Sequence, residues 1–147
     1  EEEWTQVRFK SREEIQFELG SYEIQDGSLI QLSLVAEDLA ELTRRLPDGL
    51  DWLIRIEGHT DQTPVNNTFT GDFRSNLQLG FLRAEAVRTA LLQTLSTLDT
   101  PEDYGTKLLA ASFGDTSPIK DASNLVGIEK TEADQLNRRI EFILSPR

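Results

Sequence analysis

Between Leu29 and Leu46 apolar residues recur at steps of three and four (Leu29, Leu32, Val35, Ala36, Leu39, Leu42, Leu46). Directly after the Pro47-Asp48-Gly49 stop the period changes to two, with Trp52, Ile54 and Ile56 alternating against Leu53 and Arg55. The first spacing draws an apolar stripe along one side of an α-helix, and the second sets an apolar row on one face of a β-strand. Neither surface can bury itself, so a chain that makes this switch has to lay the helix over the strand. The pattern then returns. Ser75 and Gln78 have the spacing of a capping box, which satisfies two otherwise unpaired amides at a helix start, and Ala84, Val87, Leu91 and Leu95 continue as the buried face of that helix.

The remaining pieces complete a sheet. "KLLAASFG" at Lys107 to Gly114 reads as a buried strand, and "NRRIEFIL" at Asn137 to Leu144 as the last strand, with Ile140, Phe142 and Leu144 on one face and Glu141 and Ile143 on the other. Near the start, Val7 and Phe9, then Ile15, Phe17 and Leu19, predict a strand pair or a bent strand that Gly20 and Ser21 end. Gly58 is expected where the "DWLIRIEG" strand turns out of the sheet. The polar stretch from Asp115 to Gln135 is predicted to be helical only near Glu129 to Gln135. The sum is an α+β fold, β-α-β-α-β-β in outline: a small mixed sheet with helices packed on one face.

The 147 residues suit a single domain, with residues 1–6 expected to be a linker remnant. A formal charge of −11, from 26 acidic and 15 basic residues, excludes nucleic-acid binding by phosphate neutralisation and disfavours an anionic bilayer surface. Without cysteine there is no disulfide framework, thiolate metal site or cysteine nucleophile. No apolar run reaches the roughly 20 residues of a membrane span, and "EEEWTQ" lacks a signal-peptide pattern. An abrupt acidic beginning leads to the expectation that a membrane anchor or helical stalk precedes Glu1 in the parent protein.

Polar residues concentrate around one strand-to-helix connection, His59 to Arg83. His59 and Asp61 could be cast as an acid–base pair with Ser75 or Thr63 as nucleophile, but no nucleophile-elbow pattern exists and the spacing alone does not orient the pair. A single histidine leaves no metal-ligand pattern, no phosphate-cradling glycine motif is present, and no cofactor is expected. His59 is expected to be a hydrogen-bonded residue at a strand end. Arg83 says more. Asn76, Leu79 and Arg83 lie at i, i+3 and i+7 on one helix face beside the core stripe, and a guanidinium there must meet a carboxylate. That carboxylate is either Asp61, in an ion pair that closes the loop, or a ligand's. In the last strand, alternation places Arg138 on the helix-covered face and Arg139 toward solvent.

"IRIEGHTDQTPV" at Ile54 to Val65, "SNLQLGFLRAEAV" at Ser75 to Val87, "FGDTSPI" at Phe113 to Ile119 and "NRRIEFIL" resemble, in order and spacing, the motifs of the OmpA-like peptidoglycan-binding domain. "FELGSYEI" at Phe17 to Ile24 resembles the segment that opens it. The resemblance covers the chain from about Val7, and the long loop between Asp61 and Asn76 is most similar to MotB-like stator members. Gly80 departs from the serine usual in the family, which predicts a looser helix start, and a polar insert lies between Pro118 and Asn137. The resemblance implies a noncatalytic, periplasmic module of an envelope protein that clamps the diaminopimelate of the peptidoglycan stem peptide. Asp61 would meet the ligand's ammonium and Arg83 its carboxylate, with Thr63, Asn76, Leu79 and Arg138 lining the same pocket. It also implies a membrane-anchored parent and admits a homodimer formed through a preceding N-terminal region. The competing expectation is a protein-interaction or dimerisation module that keeps the fold without the wall ligand.

Overall fold

The computed structural model describes residues 7–9, 15, 17–65, 73–100 and 102–147, with backbone only at 7–9. The expected linker remnant at 1–6 and part of the long loop, 66–72, lie outside the described residues. Among those described, the elements run β1 (Val7–Phe9), α1 (Asp26–Arg44), β2 (Trp52–His59), α2 (Asn76–Leu95), a 3-10 turn (Tyr104–Thr106), β3 (Leu108–Gly114), α3 (Gly127–Asn137) and β4 (Arg139–Pro146). The sheet has the order β1-β4-β2-β3. Strands β2 and β3 are parallel and joined by the α2 crossover, whereas β4 runs antiparallel between β2 and β1. The sheet is therefore mixed.

Alternation along the strands decides which face is dry. Trp52, Ile54 and Ile56 of β2 and Ile140, Phe142 and Leu144 of β4 form one buried cluster with Leu32, Val35, Ala36 and Leu39 of α1 and Ala84, Val87, Leu91 and Leu95 of α2. Both helices therefore cover the same face. Fully burying an aliphatic or aromatic side chain of this size stabilises by about 1.5–3 kcal/mol, so truncating Leu39, at 0% exposure, would cost about 2–5 kcal/mol. The buried Tyr104 hydroxyl meets Thr43 Oγ1 at 2.7 Å, tying the 3-10 turn to α1.

Several boundaries differ from the sequence reading. Ile15 and Phe17 are buried as expected, but Ile15 and the Phe17–Leu19 stretch are not strand and Leu19 is exposed. Strand β3 is an edge strand, leaving Leu109 and Phe113 partly exposed instead of buried. The insert folds into an eleven-residue helix, α3, that runs through Asn137, so β4 begins only at Arg139.

Gly58 does not end β2, which continues to His59 with a register shift against β3. It is glycine because α2 presses on it there: a Cβ on Gly58 would collide with the Gly80 carbonyl, and one on Gly80 would meet Gly58 O at 2.9 Å and the Ser112 hydroxyl. Gly80 therefore has a packing role in addition to its place near the helix start. It lets α2 touch β2, and Ser112 Oγ fills the space beside it while donating to Leu77 O at 2.7 Å.

Candidate functional site

The chain leaves the sheet at Thr60 and Asp61, between β2 and the start of α2. Thr60 N–H donates to Gly114 O at 2.8 Å, which holds the exit against β3. Asp61, 3% exposed, accepts from Thr63 N–H on Oδ1 at 2.9 Å, folding the loop back on itself, and from Arg138 Nη1 on Oδ2 at 2.6 Å. Asn76 Nδ2 donates to Thr63 O at 3.0 Å, so the first residue of α2 fixes the same loop. Ser75 caps α2 by accepting from Gln78 N–H, while the Gln78 side chain accepts from Arg74 N–H instead of closing the reciprocal bond to Ser75. Gln62, which the sequence did not single out, clamps this loop to the next: its amide donates to Asp121 Oδ1 and accepts from Ala122 N–H.

Arg83 projects from α2 beneath this loop, beside buried Leu79. The expected Asp61–Arg83 ion pair is not the contact that forms; Arg138 takes Asp61, and Arg83 is held by backbone. Its Nε donates to Ser21 O at 2.8 Å and its Nη2 to Glu18 O at 3.1 Å, while the Phe17 ring lies 5.0 Å from the guanidinium carbon. The irregular Phe17–Ser21 segment, turning at Gly20 with φ 68°, therefore wraps the arginine. The turn was legible, its partner was not. Arg83 is 1% exposed, and its Nη1 has no hydrogen-bond partner among the described residues. Burial pushes the guanidinium down to about 10, the Asp61 carboxylate partly offsets this, and the nearby Arg138 adds to it. The group remains charged at neutral pH.

Arg138 is positioned by the residue before it. Asn137, fully buried, accepts from Ile119 N–H and Lys120 N–H on Oδ1 and donates to Lys120 O, stapling the turn after Pro118 to the end of α3. Arg138, which joins α3 to β4, borders a cleft of about 650 Å³ between the Phe17–Leu19 segment and α3. The structure thus gathers Asp61, Thr63, Asn76, Leu79, Arg83 and Arg138 at the end of the sheet where β2 leads into α2 and β4 begins.

The opposite sheet face holds a second set. Glu57 and Glu141 sit directly across from each other on β2 and β4, both buried, with Arg55 Nε 2.7 Å from Glu57 and Arg139 3.2 Å from Glu141. Arg139 is therefore not solvent-facing as expected: its side chain is 11% exposed and also donates to Asn137 O and Ser117 O. His59 stacks on Phe113 at 5.3 Å, and its Nε2 lies 3.1 Å from Glu141 and 3.7 Å from Glu57. Neither ring nitrogen makes a directed hydrogen bond among the described residues, contrary to the sequence expectation. Burial, followed by the Arg139 charge, holds the imidazole below its ordinary 6.5 despite the two carboxylates. Glu57, His59 and Glu141 bring ligand-type atoms within 4.8 Å of one another, the nearest approach to a metal set among the described residues. Each carboxylate is already engaged by a guanidinium.

A mixed sheet covered on one face by two helices, with Asp61, Arg83 and Arg138 near one another where the central strands end, defines a small α+β domain. The chain belongs to the OmpA family, whose model matches residues 16–132. It is similar to the periplasmic domain of Helicobacter pylori MotB at 25% identity and TM-score 0.64, over 96% of this chain and 75% of that one. A putative MotB-like protein from Desulfovibrio vulgaris shares the fold at 23% identity and TM-score 0.64, over 97% of this chain and 73% of that one. So does the cell wall anchor of the T6SS from Pseudomonas aeruginosa, at 20% identity and TM-score 0.62, over 97% and 81%. No curated protein sequence matches the chain. No described helix is long and apolar enough to cross a membrane.

Proposed function

We propose that this domain is a periplasmic, noncatalytic anchor that binds peptidoglycan noncovalently and ties a larger envelope protein to the cell wall. The family and the similarity to a cell wall anchor and to MotB periplasmic domains support the general reading. The observation that carries the finer one is Arg83: a buried guanidinium whose Nη1 is unpaired among the described residues, within electrostatic reach of the buried carboxylate of Asp61. A buried donor without an acceptor costs about 1–3 kcal/mol, more when charged, and a ligand carboxylate would recover it. The free end of diaminopimelate in a stem peptide bears an ammonium and a carboxylate on one carbon. Asp61 takes the ammonium and Arg83 the carboxylate, while Thr63, Asn76, Leu79 and Arg138 shape the surrounding wall. A planar guanidinium suits the carboxylate because it binds at fixed geometry.

The test is co-sedimentation with purified sacculi of the diaminopimelate type. The native domain pellets with them, and Asp61→Asn, which keeps the size of the side chain and removes its charge, does not. A native domain that stays in the supernatant would overturn the reading. Release of soluble muropeptides during the incubation would show that the domain does chemistry after all.

A further inference from the structure

The face of the sheet away from the helices carries a group that the proposed wall contact leaves out. We infer that Glu57, His59 and Glu141 form a binding site for one divalent cation of the zinc type, held between β2 and β4.

Alternation along the strands builds the site. Glu57 and His59 are two apart on β2, so both side chains leave the same face, and Glu141 is the direct partner of Glu57 across the antiparallel ladder. Two positions on one strand and one on its neighbour make a triangle, closed enough that one ligand-type atom from each residue falls within 4.8 Å of the others. His59 Nε2 lies 3.7 Å from Glu57 Oε1 and 3.1 Å from Glu141 Oε2. Tetrahedral zinc, bound to nitrogen and oxygen at roughly 2.0–2.2 Å, sets neighbouring ligand atoms about 3.3–3.6 Å apart. The two observed edges bracket that range.

The imidazole supplies a second, independent indication. It is 2% exposed and stacked nearly parallel on the Phe113 ring, and neither of its nitrogens has a hydrogen-bond partner among the described residues. Leaving buried polar atoms in that condition is costly. Burial, followed by the Arg139 charge, keeps the ring neutral despite the two carboxylates, and neutral imidazole is the form that ligates a metal. Nε2 thus sits beside two carboxylates without donating to either, and three electron-pair donors face a common point.

Arg55 and Arg139 do not fill that point. Arg55 Nε meets Glu57 Oε2, not the oxygen 3.7 Å from His59, and Arg139 approaches Glu141 Oε2 while also donating to the carbonyls of Asn137 and Ser117. With an ion bound they become the outer partners that orient ligating carboxylates. Arg55 has 28% of its side chain exposed, so it can turn toward water as the ion enters and leave less positive charge in the dry part of the site. The formal charge of −11 favours an added cation at longer range. Magnesium and calcium suit the set poorly, because both prefer six or more oxygen ligands.

His59 is the chain's only histidine and there is no cysteine, so the imidazole resonances report on this site alone. The domain, stripped with a chelator and dialysed, is titrated with Zn²⁺ while its nitrogen-15-labelled ring is followed by NMR. The Nε2 signal should move and reach a plateau at one ion per chain. The thermal midpoint should rise by about 5–10 °C at free Zn²⁺ a hundredfold above the dissociation constant. His59→Asn should lose the thermal shift, and Mg²⁺ should produce neither change. A ring spectrum unmoved by excess Zn²⁺, or a thermal shift that survives in His59→Asn, would overturn the inference by placing the ion on exposed carboxylates. An equal response to Mg²⁺ would overturn it as well. The ring signal is read in the native domain, so the outcome does not depend on how well the variant folds.

Discussion

Strand β2 carries buried charge on both sides of its C-terminal end, and the two groups are built on opposite terms. On the face away from the helices, Glu57 and Glu141 are answered by Arg55 and Arg139, with His59 held neutral between them. At the end of β2, Asp61 has two arginines near it, one of which has its buried Nη1 unpaired among the described residues. In the first arrangement each carboxylate is met by a guanidinium, although the His59 ring nitrogens are without a hydrogen-bond partner among the described residues. The second has one carboxylate for two guanidiniums, and on the proposed reading a ligand carboxylate fills the gap at Arg83 Nη1. Buried charge is costly in either case; the two groups differ in whether each guanidinium has a carboxylate of its own.

The comparison breaks most visibly in Arg139→Ala. Removing this guanidinium leaves Glu57 and Glu141 facing each other across the ladder with one counter-charge fewer, and we expect a loss of about 3–5 kcal/mol in urea unfolding, as for breaking a buried pair. Sacculus binding by the molecules that remain folded should change by less than about 0.5 kcal/mol, because Arg139 lies on the far face. Asp61→Asn should do the reverse, abolishing binding while costing about 1–3 kcal/mol of stability, since its one amide oxygen can accept from Thr63 or from Arg138 but not from both. If Arg139→Ala lost binding in proportion to Asp61→Asn, the two groups would be one coupled network.

Arg83 belongs to both categories, and its variant sharpens the distinction. Arg83→Met keeps the apolar stem but strands the carbonyls of Ser21 and Glu18, so a stability loss of about 3 kcal/mol is expected together with loss of binding. Full retention of stability would mean that the Phe17–Ser21 segment does not depend on the arginine.

This division explains what could be read from the sequence. Period-two and period-3.6 patterns report which side of an element is dry, so the helix-covered face of β2 and β4 and the α2 stripe were accessible from spacing. The same alternation assigned Arg139 to solvent, because it carries no information about what pairs with an arginine once it is there. The partner of Arg83 was missed for a related reason: backbone carbonyls leave no mark on residue identity, whereas a carboxylate such as Asp61 does. The six site residues came from motif resemblance, and the structure brings them together through contacts, such as Asn76 with Thr63 and Asn137 with the turn after Pro118, that spacing alone would not give.

Between the two charged groups lies the contact of Gly58 with Gly80, which sets how closely α2 can approach β2. Gly80→Ser should cost about 1–3 kcal/mol by overpacking, and Ser112→Ala should recover part of that loss by removing the hydroxyl the new side chain meets, while the Gly58 carbonyl at 2.9 Å keeps the recovery incomplete. A double-mutant cycle measures this: strictly additive losses would mean that the helix shifts as a body instead of colliding locally.

The smallest expected effect is the pH response of the closed group. His59 is held neutral by burial and by the Arg139 charge, so its folded value lies below the ordinary 6.5. The unfolded chain therefore binds a proton more readily than the folded one wherever pH falls below that ordinary value. Stability contributed by the neutral imidazole is fully present above it and declines as pH falls toward the folded value, with a slope no steeper than about 1.4 kcal/mol per pH unit for one proton. His59→Asn should flatten that portion of the stability curve and leave sacculus binding near neutral pH unaltered, because Glu57, Glu141, Arg55, Arg139 and Phe113, not the site arginines, surround the ring. Urea unfolding of both proteins from pH 7.5 downward gives the comparison. A native curve that rises as the pH falls through the ordinary histidine range would mean that Glu57 and Glu141 outweigh burial and hold His59 protonated, making the closed group a charged bridge in place of a balanced one.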